Sequence, residues 1–410
     1  MTRKAIPFLF AAAFTSTLFA AEGPVPKGVP HLDHVFVIMM ENHGYGQIVG
    51  NPNAPFINQY AKSANAASNY FAVAHPSLTN YLEVVGGSNF GVLDDNAPDW
   101  HNPSCIPNLQ SAPSTESTST AICPIEGTGT DAATPAIDYT NETSGPPGDI
   151  NINGTASFAA ATDTLGITIA DQLVAANKTW KSYQESLPVS GADNINYSDG
   201  FFTNLTDFSQ ILPALNPPLS SSDVVQLYAV KHNPFAYFSS VQGGANRRSG
   251  LKNVAGFDTL YADLGSGDVP NYSFIAPNQC NDQHGRGNAG AFCNFDPISD
   301  GSQAGLNPGL IYLGDITVQR LVTAIKASPA WRRGRNAIVV LWDENDYSLA
   351  PNTNQVLTIV DRNYGTHGVS SGQFYTHFSL LKSLESGLGL PCLNHACDAS
   401  VNVMSDLFGR

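Results

Sequence analysis

The stretch His34-Val-Phe-Val-Ile-Met-Met-Glu41-Asn42-His43-Gly44-Tyr45 decides the fold class. Val35 to Met40 are six consecutive apolar residues, the pattern of a strand buried on both faces of a sheet. The run stops at a carboxylate and an amide, Glu41 and Asn42, where open α/β sheets place their ligands. A second run, Asn336-Ala-Ile-Val-Val-Leu-Trp342, stops the same way, at Asp343-Glu344-Asn345-Asp346. Two buried strands that each bring oxygen ligands to one sheet edge predict a shared site for a cation.

Helices and strands alternate around these runs. Helical periodicity is predicted over 54–68, 78–85, 168–176, 223–230, 314–327 and 376–387, with strands over 69–73, 179–183 and 271–275. That order predicts an α/β fold: a mostly parallel central sheet with helices on both faces.

The chain opens with Met1-Thr-Arg-Lys4, continues through an apolar segment over 5–14 and reaches Leu18-Phe-Ala-Ala21. This is the layout of a secretory signal peptide cleaved near Ala20 or Ala21, so the protein is expected to be exported, extracellular or periplasmic. The apolar part is too short to span a bilayer, and no later segment qualifies. Residues 22–410 read as a single domain carrying a Ser/Thr/Gly/Pro-rich surface insertion at about 102–160.

A net charge of −15 with no Lys/Arg stripe argues against nucleic acid as a partner. Six cysteines suit an oxidising compartment. Proximity prefers Cys105 with Cys123, Cys280 with Cys293, and Cys392 with Cys397, and no Cys-x-x-Cys pair suggests structural zinc. Six Asn-x-Ser/Thr sequons are present, near the count that chance gives in a chain this rich in Asn, Ser and Thr.

Ala74-His75-Pro76-Ser77-Leu78-Thr79-Asn80-Tyr81 joins a strand to a helix. A Ser at that point is either an N-cap or a hydroxyl presented to an anion, because the helix terminus offers free N–H groups and partial positive charge. No Gly-x-Ser-x-Gly elbow surrounds it, which disfavours an α/β-hydrolase.

The order of motifs resembles the phosphoesterase family of acid phosphatases and bacterial phospholipases C, within the alkaline phosphatase superfamily. The matching pieces begin with Met40-Glu41-Asn42-His43-Gly44-Tyr45, His75-Pro-Ser77-Leu-Thr-Asn80-Tyr81 and Asp171-Gln172-Leu…Trp180-Lys181-Ser-Tyr183. Lys231-His232-Asn233-Pro234, Asn281-Asp282-Gln-His284, Trp342-Asp343-Glu344 and Tyr375-Thr-His377 complete the series, over roughly 31–390. The resemblance implies a divalent metal held by Glu41, Asn42, Asp343 and Glu344, and a nucleophile at Ser77. It places His232 and His284 around the phosphate, with Asn80, Lys231, Arg286 and His75 as further substrate contacts. Thr79 replaces the family's usual Pro, and Gly285-Arg286 follows His284 where an acid is usual, leaving Arg286 to grip phosphate bidentately.

The implied chemistry is coherent. A cation beside Ser77 favours its alkoxide and neutralises phosphate charge, Ser77 attacks phosphorus, and His284 or His232 protonates the leaving alcohol. A histidine acid, with an ordinary pKa of about 6.5, suits a mildly acidic medium. Oxygen ligands favour a hard cation such as Ca²⁺ or Mg²⁺. The expected function is therefore that of a secreted, metal-dependent acid phosphatase acting on small phosphate esters. A phospholipase C or other phosphodiesterase is the nearest alternative, and a non-catalytic exported binding protein the alternative of another class. A diesterase should show an apolar rim, which the 102–160 insertion lacks.

Overall fold

The computed structural model describes residues 22–90, 92, 95, 166–187, 227–242, 250–287, 289–345 and 354–409. The leader 1–21, the insertion 102–160, the Cys105–Cys123 pair, Asp346 and the sequons at Asn141, Asn153, Asn196 and Asn204 lie outside these residues.

One nine-stranded sheet organises the described chain. Its strands are β1 (His34–Met40), β2 (Asn65–Phe71), β3 (Trp180–Gln184), β4 (Val254–Gly256), β5 (Tyr272–Ala276), β6 (Asn336–Trp342), β7 (Gln355–Arg362), β8 (Ser370–Ser371) and β9 (Tyr375–Thr376). The order is β4-β3-β5-β1-β6-β7-β2-β8, with β9 paired to β2. Only β7 runs against its neighbours, pairing antiparallel with both β6 and β2. β1 sits centrally, parallel to β5 and β6. Val35 to Met40 and all of β6 are buried, as their uninterrupted apolar sequences demand.

Helices α1 (Tyr45–Ile48), α2 (Pro55–Ser63), α3 (Ser77–Gly86), α4 (Ile169–Ala175), α5 (Phe257–Ser266), α6 (Pro308–Ala327) and α7 (His377–Leu388) accompany the sheet. α3 ends at Gly87, whose left-handed φ of 70° closes the last turn. Because β1, β2, β5 and β6 share one direction, their following residues converge on one edge. Glu41, Ser77, Asp282 and Asp343 all lie on these outgoing segments.

Several expectations are corrected. The helix expected over 54–68 stops at Ser63, and Asn65–Phe71 is a strand: Ala66 and Ala67 carry no strand signal, but pairing with β7 claims them. β7 itself, with its Val-Leu-Thr-Ile-Val run, is an edge-to-edge bridge absent from the expected element order. α5, β4, β8 and β9 are likewise additions. Helix α6 starts at Pro308, six residues before the expected start, because Asn307 caps it by accepting from Gly309 N at 3.0 Å. Of the helix expected over 223–230, the described end is a single turn, Val230–His232. Cys280–Cys293 and Cys392–Cys397 are bonded as proximity preferred.

One glycine of α6 is required by packing near the site. A Cβ on Gly314 would lie 2.3 Å from Gln283 Cγ. Gln283 is buried, donates to Ile311 O at 3.0 Å and accepts from Trp342 Nε1 at 2.8 Å, fixing the Asp282–His284 turn between α6 and the end of β6. Gly314→Ala is therefore expected to cost about 1–3 kcal/mol by overpacking and to lower activity by shifting that turn. A denaturant midpoint and a turnover rate both equal to the wild type would contradict this.

Candidate active site

The end of β1 is turned sharply at Asn42, whose φ of 58° is a conformation that Asn tolerates better than most residues. The turn lets Asn42 N donate to Asp343 Oδ1 at 3.0 Å, which also accepts from Glu344 N at 2.7 Å. The main chain ties the same two strand ends, with Asp343 N donating to Met40 O at 2.9 Å. Asp282 enters from the segment after β5: its carbonyl accepts from Glu41 N at 2.8 Å, and its Oδ1 from His284 N at 2.7 Å.

Ser77 opens α3 and is 2% exposed. Its hydroxyl lies between two carboxylates, 3.0 Å from Glu41 Oε2 and 3.3 Å from Glu344 Oε1. Glu344 Oε2 contacts His75 Nδ1 at 2.9 Å and accepts from Asn80 Nδ2 at 2.9 Å. Asn80 spends the rest of its amide on Val73 N, Ala74 N and Ala74 O. Asn80, expected as a substrate contact, is fully buried and in this structure holds the turn before Ser77 and the Glu344 carboxylate in place.

His232 Nε2 lies 3.3 Å from Glu41 Oε1 and its Nδ1 3.1 Å from Asp282 Oδ2. These are ion-pair distances without hydrogen-bond geometry, so none of the four atoms has a hydrogen-bond partner. The ring is stacked on Tyr81, centroids 5.3 Å apart and planes 7° apart, which fixes its orientation. Burial, then the Lys231 and His284 charges, hold His232 well below the usual imidazole pKa, which favours the neutral ring, with one nitrogen offering a lone pair and the other an N–H.

The carboxylates show the complementary pressure. Burial, reinforced by Asp343 and Asp282, raises Glu41 well above the usual range. Burial also raises Asp282 well above it and pushes Asp343 to about 6. Asn42 Oδ1 and Asp343 Oδ2 are, like Glu41 Oε1 and Asp282 Oδ2, buried without a hydrogen-bond partner. Buried carboxylates are stable when paired or when they hold a metal. Glu41, His232 and His284 also present ligand atoms all within 4.8 Å of one another. The donor set therefore fits a divalent cation.

Beside the carboxylate cluster, Lys231 Nζ contacts His284 Nε2 at 3.1 Å, and His284 Nδ1 contacts Gly285 O at 2.8 Å. The simplest proton arrangement has Nδ1–H donating to Gly285 while Nε2 accepts from the ammonium. Lys231 also donates to Asp95 Oδ2 at 2.9 Å, and Asp95 Oδ1 accepts from Leu78 N at 3.0 Å. Arg286 is partly buried, its main chain fastened by N–H donation to Cys293 O at 2.5 Å.

The sequence reading missed three contributors. Asp282 stood inside a quoted motif, but only the fold shows it facing His232. Asp95 lies in sequence with no local signal. Asn354 joins the two halves of the site, accepting from Asn345 N at 2.8 Å and donating to Ala74 O at 3.0 Å. His377, at the start of α7, contacts Asp343 O at 2.6 Å through Nε2 and the Tyr70 hydroxyl at 3.0 Å through Nδ1. Burial lowers its pKa to about 4. Neutral His377 therefore stabilises the fold above pH about 6.5, and that contribution is lost as pH falls toward about 4. His377→Gln is expected to be less stable than wild type at neutral pH, with the gap narrowing on acidification. A gap independent of pH would refute the assignment.

A model of the phosphoesterase family matches residues 51–292, more than half of the chain. The chain belongs to the phosphoesterase family. As a family member it is a phosphoric ester hydrolase. The match includes Ser77, Lys231, His232 and His284, while Glu41 and Asp343 fall outside it. The chain is 24% identical over 391 residues to a phosphatidylinositol-3-phosphatase of Mycobacterium tuberculosis, covering 94% of this chain and 86% of that protein. It is 23% identical over 373 residues to an acid phosphatase of Aspergillus fumigatus, covering 90% of this chain and 57% of that protein. A phosphate-repressible acid phosphatase of Penicillium chrysogenum is 24% identical, with 91% and 62% covered. The chain thus spans less than two-thirds of these fungal enzymes. Among solved structures, an alkaline phosphatase superfamily protein from Vibrio parahaemolyticus aligns over 94% of this chain and 74% of its own, at 10% identity and a TM-score of 0.47. No helix among the described residues is long and apolar enough to cross a membrane.

Proposed function

We propose that this phosphoesterase is an exported, metal-dependent phosphomonoesterase of acid phosphatase type that works through a phosphoseryl intermediate. The observation that carries the reading is the buried Ser77 hydroxyl held between Glu41 and Glu344, with the adjacent Leu78 amide and the Lys231 ammonium converging on one carboxylate, that of Asp95.

Ser77 Oγ attacks phosphorus while its proton passes to Glu41 or Glu344. The ester bond breaks, and the leaving alcohol takes a proton from the Lys231–His284 pair, in which the ammonium donates to His284 Nε2. Water then attacks the phosphoseryl group and gives a proton back to that pair, while the carboxylate returns its proton to Ser77 as phosphate leaves. Lys231 and the first-turn amides of α3 hold the non-bridging oxygens. His232, neutral and flanked by carboxylates, is better suited to bind the cation than to donate a proton. The cation would be held by Glu41, Asn42, Asp343 and Glu344, with Asp282, His232 and His284 within reach. When bound, it would favour the Ser77 alkoxide and neutralise charge on phosphate. The imidazoles widen the choice beyond the Ca²⁺ or Mg²⁺ that oxygen ligands alone favour, to ions such as Mn²⁺ or Zn²⁺.

A second reading, a lipid-borne phosphate ester, has one specific support. Phe292 and Phe295 are 61% and 52% exposed, Ile298 and Tyr312 are also exposed, and the Phe295 ring lies 6.2 Å from that of His284. This is the apolar rim that the insertion sequence lacks, and the mycobacterial relative is named for a phosphoinositide.

The deciding assay compares p-nitrophenyl phosphate, bis-p-nitrophenyl phosphate and a dispersed phosphatidylinositol phosphate. Monoester turnover without diester turnover supports the phosphatase. Preference for the diester overturns it, and selective loss of lipid turnover in Phe295→Ser supports the rim.

A further inference from the structure

We propose that the Asp95 carboxylate occupies the locus of the substrate phosphate in the ligand-free enzyme, so that Asp95 sets the affinity for phosphate esters and for product phosphate. The inference rests on the phosphoesterase reading of the site.

Two donors converge on this carboxylate. Leu78 N, in the first turn of the ten-residue helix α3 and adjacent to Ser77, donates to Asp95 Oδ1 at 3.0 Å. Lys231 Nζ donates to Oδ2 at 2.9 Å and also contacts His284 Nε2 at 3.1 Å. A helix-terminal amide next to a nucleophilic hydroxyl, and an ammonium positioned by an imidazole, are groups that suit a tetrahedral oxyanion. Asp95 offers them two oxygens and one charge, where a phosphate monoester offers three non-bridging oxygens and up to two charges.

The site's own electrostatics make this exchange demanding. The Lys231 and Asp95 side chains are 6% and 15% exposed. Leaving the ammonium unpaired in so sheltered a position would be costly, so one anion is traded for another. Asp95 also brings a further carboxylate toward a centre that already holds Glu41, Asp282, Asp343 and Glu344. An incoming phosphate and Asp95 compete for the same donors and repel one another, so the side chain must turn away as the ester binds. The apparent dissociation constant is therefore the intrinsic one divided by the fraction of molecules with Asp95 turned away from the donors.

The test is steady-state kinetics on p-nitrophenyl phosphate with inhibition by inorganic phosphate, for wild type, Asp95→Asn and Asp95→Ala. If the carboxylate holds the locus about nine-tenths of the time, Asp95→Ala lowers KM and the phosphate inhibition constant together by about tenfold. Asp95→Asn keeps an acceptor for Leu78 N but no charge for Lys231, so it shifts both in the same direction by a smaller factor. A melting curve identifies an Ala variant that fails to fold, and the near-isosteric Asn variant then carries the test. Folded variants with KM and inhibition constant unchanged or raised overturn the inference, as does a fall in kcat alone, which would make Asp95 a catalytic group. A wild-type enzyme that neither hydrolyses the ester nor binds phosphate fails differently, since the reading of the site then falls and this inference with it.

Discussion

Ser77→Ala is expected to abolish monoester turnover, by a factor on the order of 10⁴ or more, with the fold intact. The hydroxyl supplies the bond to phosphorus, and a methyl group cannot replace it. The two carboxylates around it lose one shared donor, which relieves neither the burial of Glu41 nor its repulsion by Asp343 and Asp282. Stability should change by no more than about 1 kcal/mol, the usual scale of one hydrogen bond. Phosphate should still bind, because Leu78 N and Lys231 remain. The measurement is a progress curve with p-nitrophenyl phosphate beside isothermal titration with inorganic phosphate. A variant that keeps a tenth of wild-type activity would show that Ser77 is not the nucleophile.

Chelation is the second large effect. Removing divalent metal should eliminate turnover and lower the melting temperature at neutral pH, and adding back one cation should restore both. At a hundredfold excess over its dissociation constant, a bound ion stabilises by about 2.7 kcal/mol. The pH dependence carries a signature of its own. Asp343 titrates near 6 in the fold, above its ordinary value of 3.8, with Glu41 and Asp282 raised as well. A carboxyl whose folded pKa is raised adds stability below the unfolded pKa, and that stability is lost as pH rises through the folded one. The metal-free protein should therefore weaken as pH climbs from about 4 past about 6, and the metal-loaded protein should not. Titrating Ca²⁺, Mg²⁺, Mn²⁺ and Zn²⁺ across that range, read by thermal shift and turnover, identifies the ion. Chelated protein with full activity and an unchanged melting curve would remove the metal from the proposal.

Much of this architecture is written locally. A six-residue apolar run ending in Glu41-Asn42 can be stable only where both faces are covered, and its outgoing end must then lie at a ligand-binding edge. The same holds for β6 and Asp343-Glu344. The position of Ser77 at the start of a helix was legible from the strand-to-helix turn, and the structure has it there. The disulfides Cys280–Cys293 and Cys392–Cys397 follow from short separations of 13 and 5 residues.

The less legible parts depend on partners distant in sequence. The Ala-rich start of β2 reads as helix until β7 supplies its hydrogen bonds some 290 residues later. Asn80 carries the same functional groups whether it grips substrate or braces a turn, and only the fold shows its four contacts to Val73, Ala74 and Glu344. His232 is a candidate acid by residue type. Its burial between Glu41 and Asp282, which lowers its pKa, is set by the fold and favours the cation-binding role proposed for it. The sequence by itself determined which residues end the buried strands, because burial of an unbroken apolar run is a local requirement. Tertiary structure alone decided which charges meet, including Asp282 on His232 and Asp95 on Lys231, because Coulomb and desolvation energies depend on distance and burial in the folded chain.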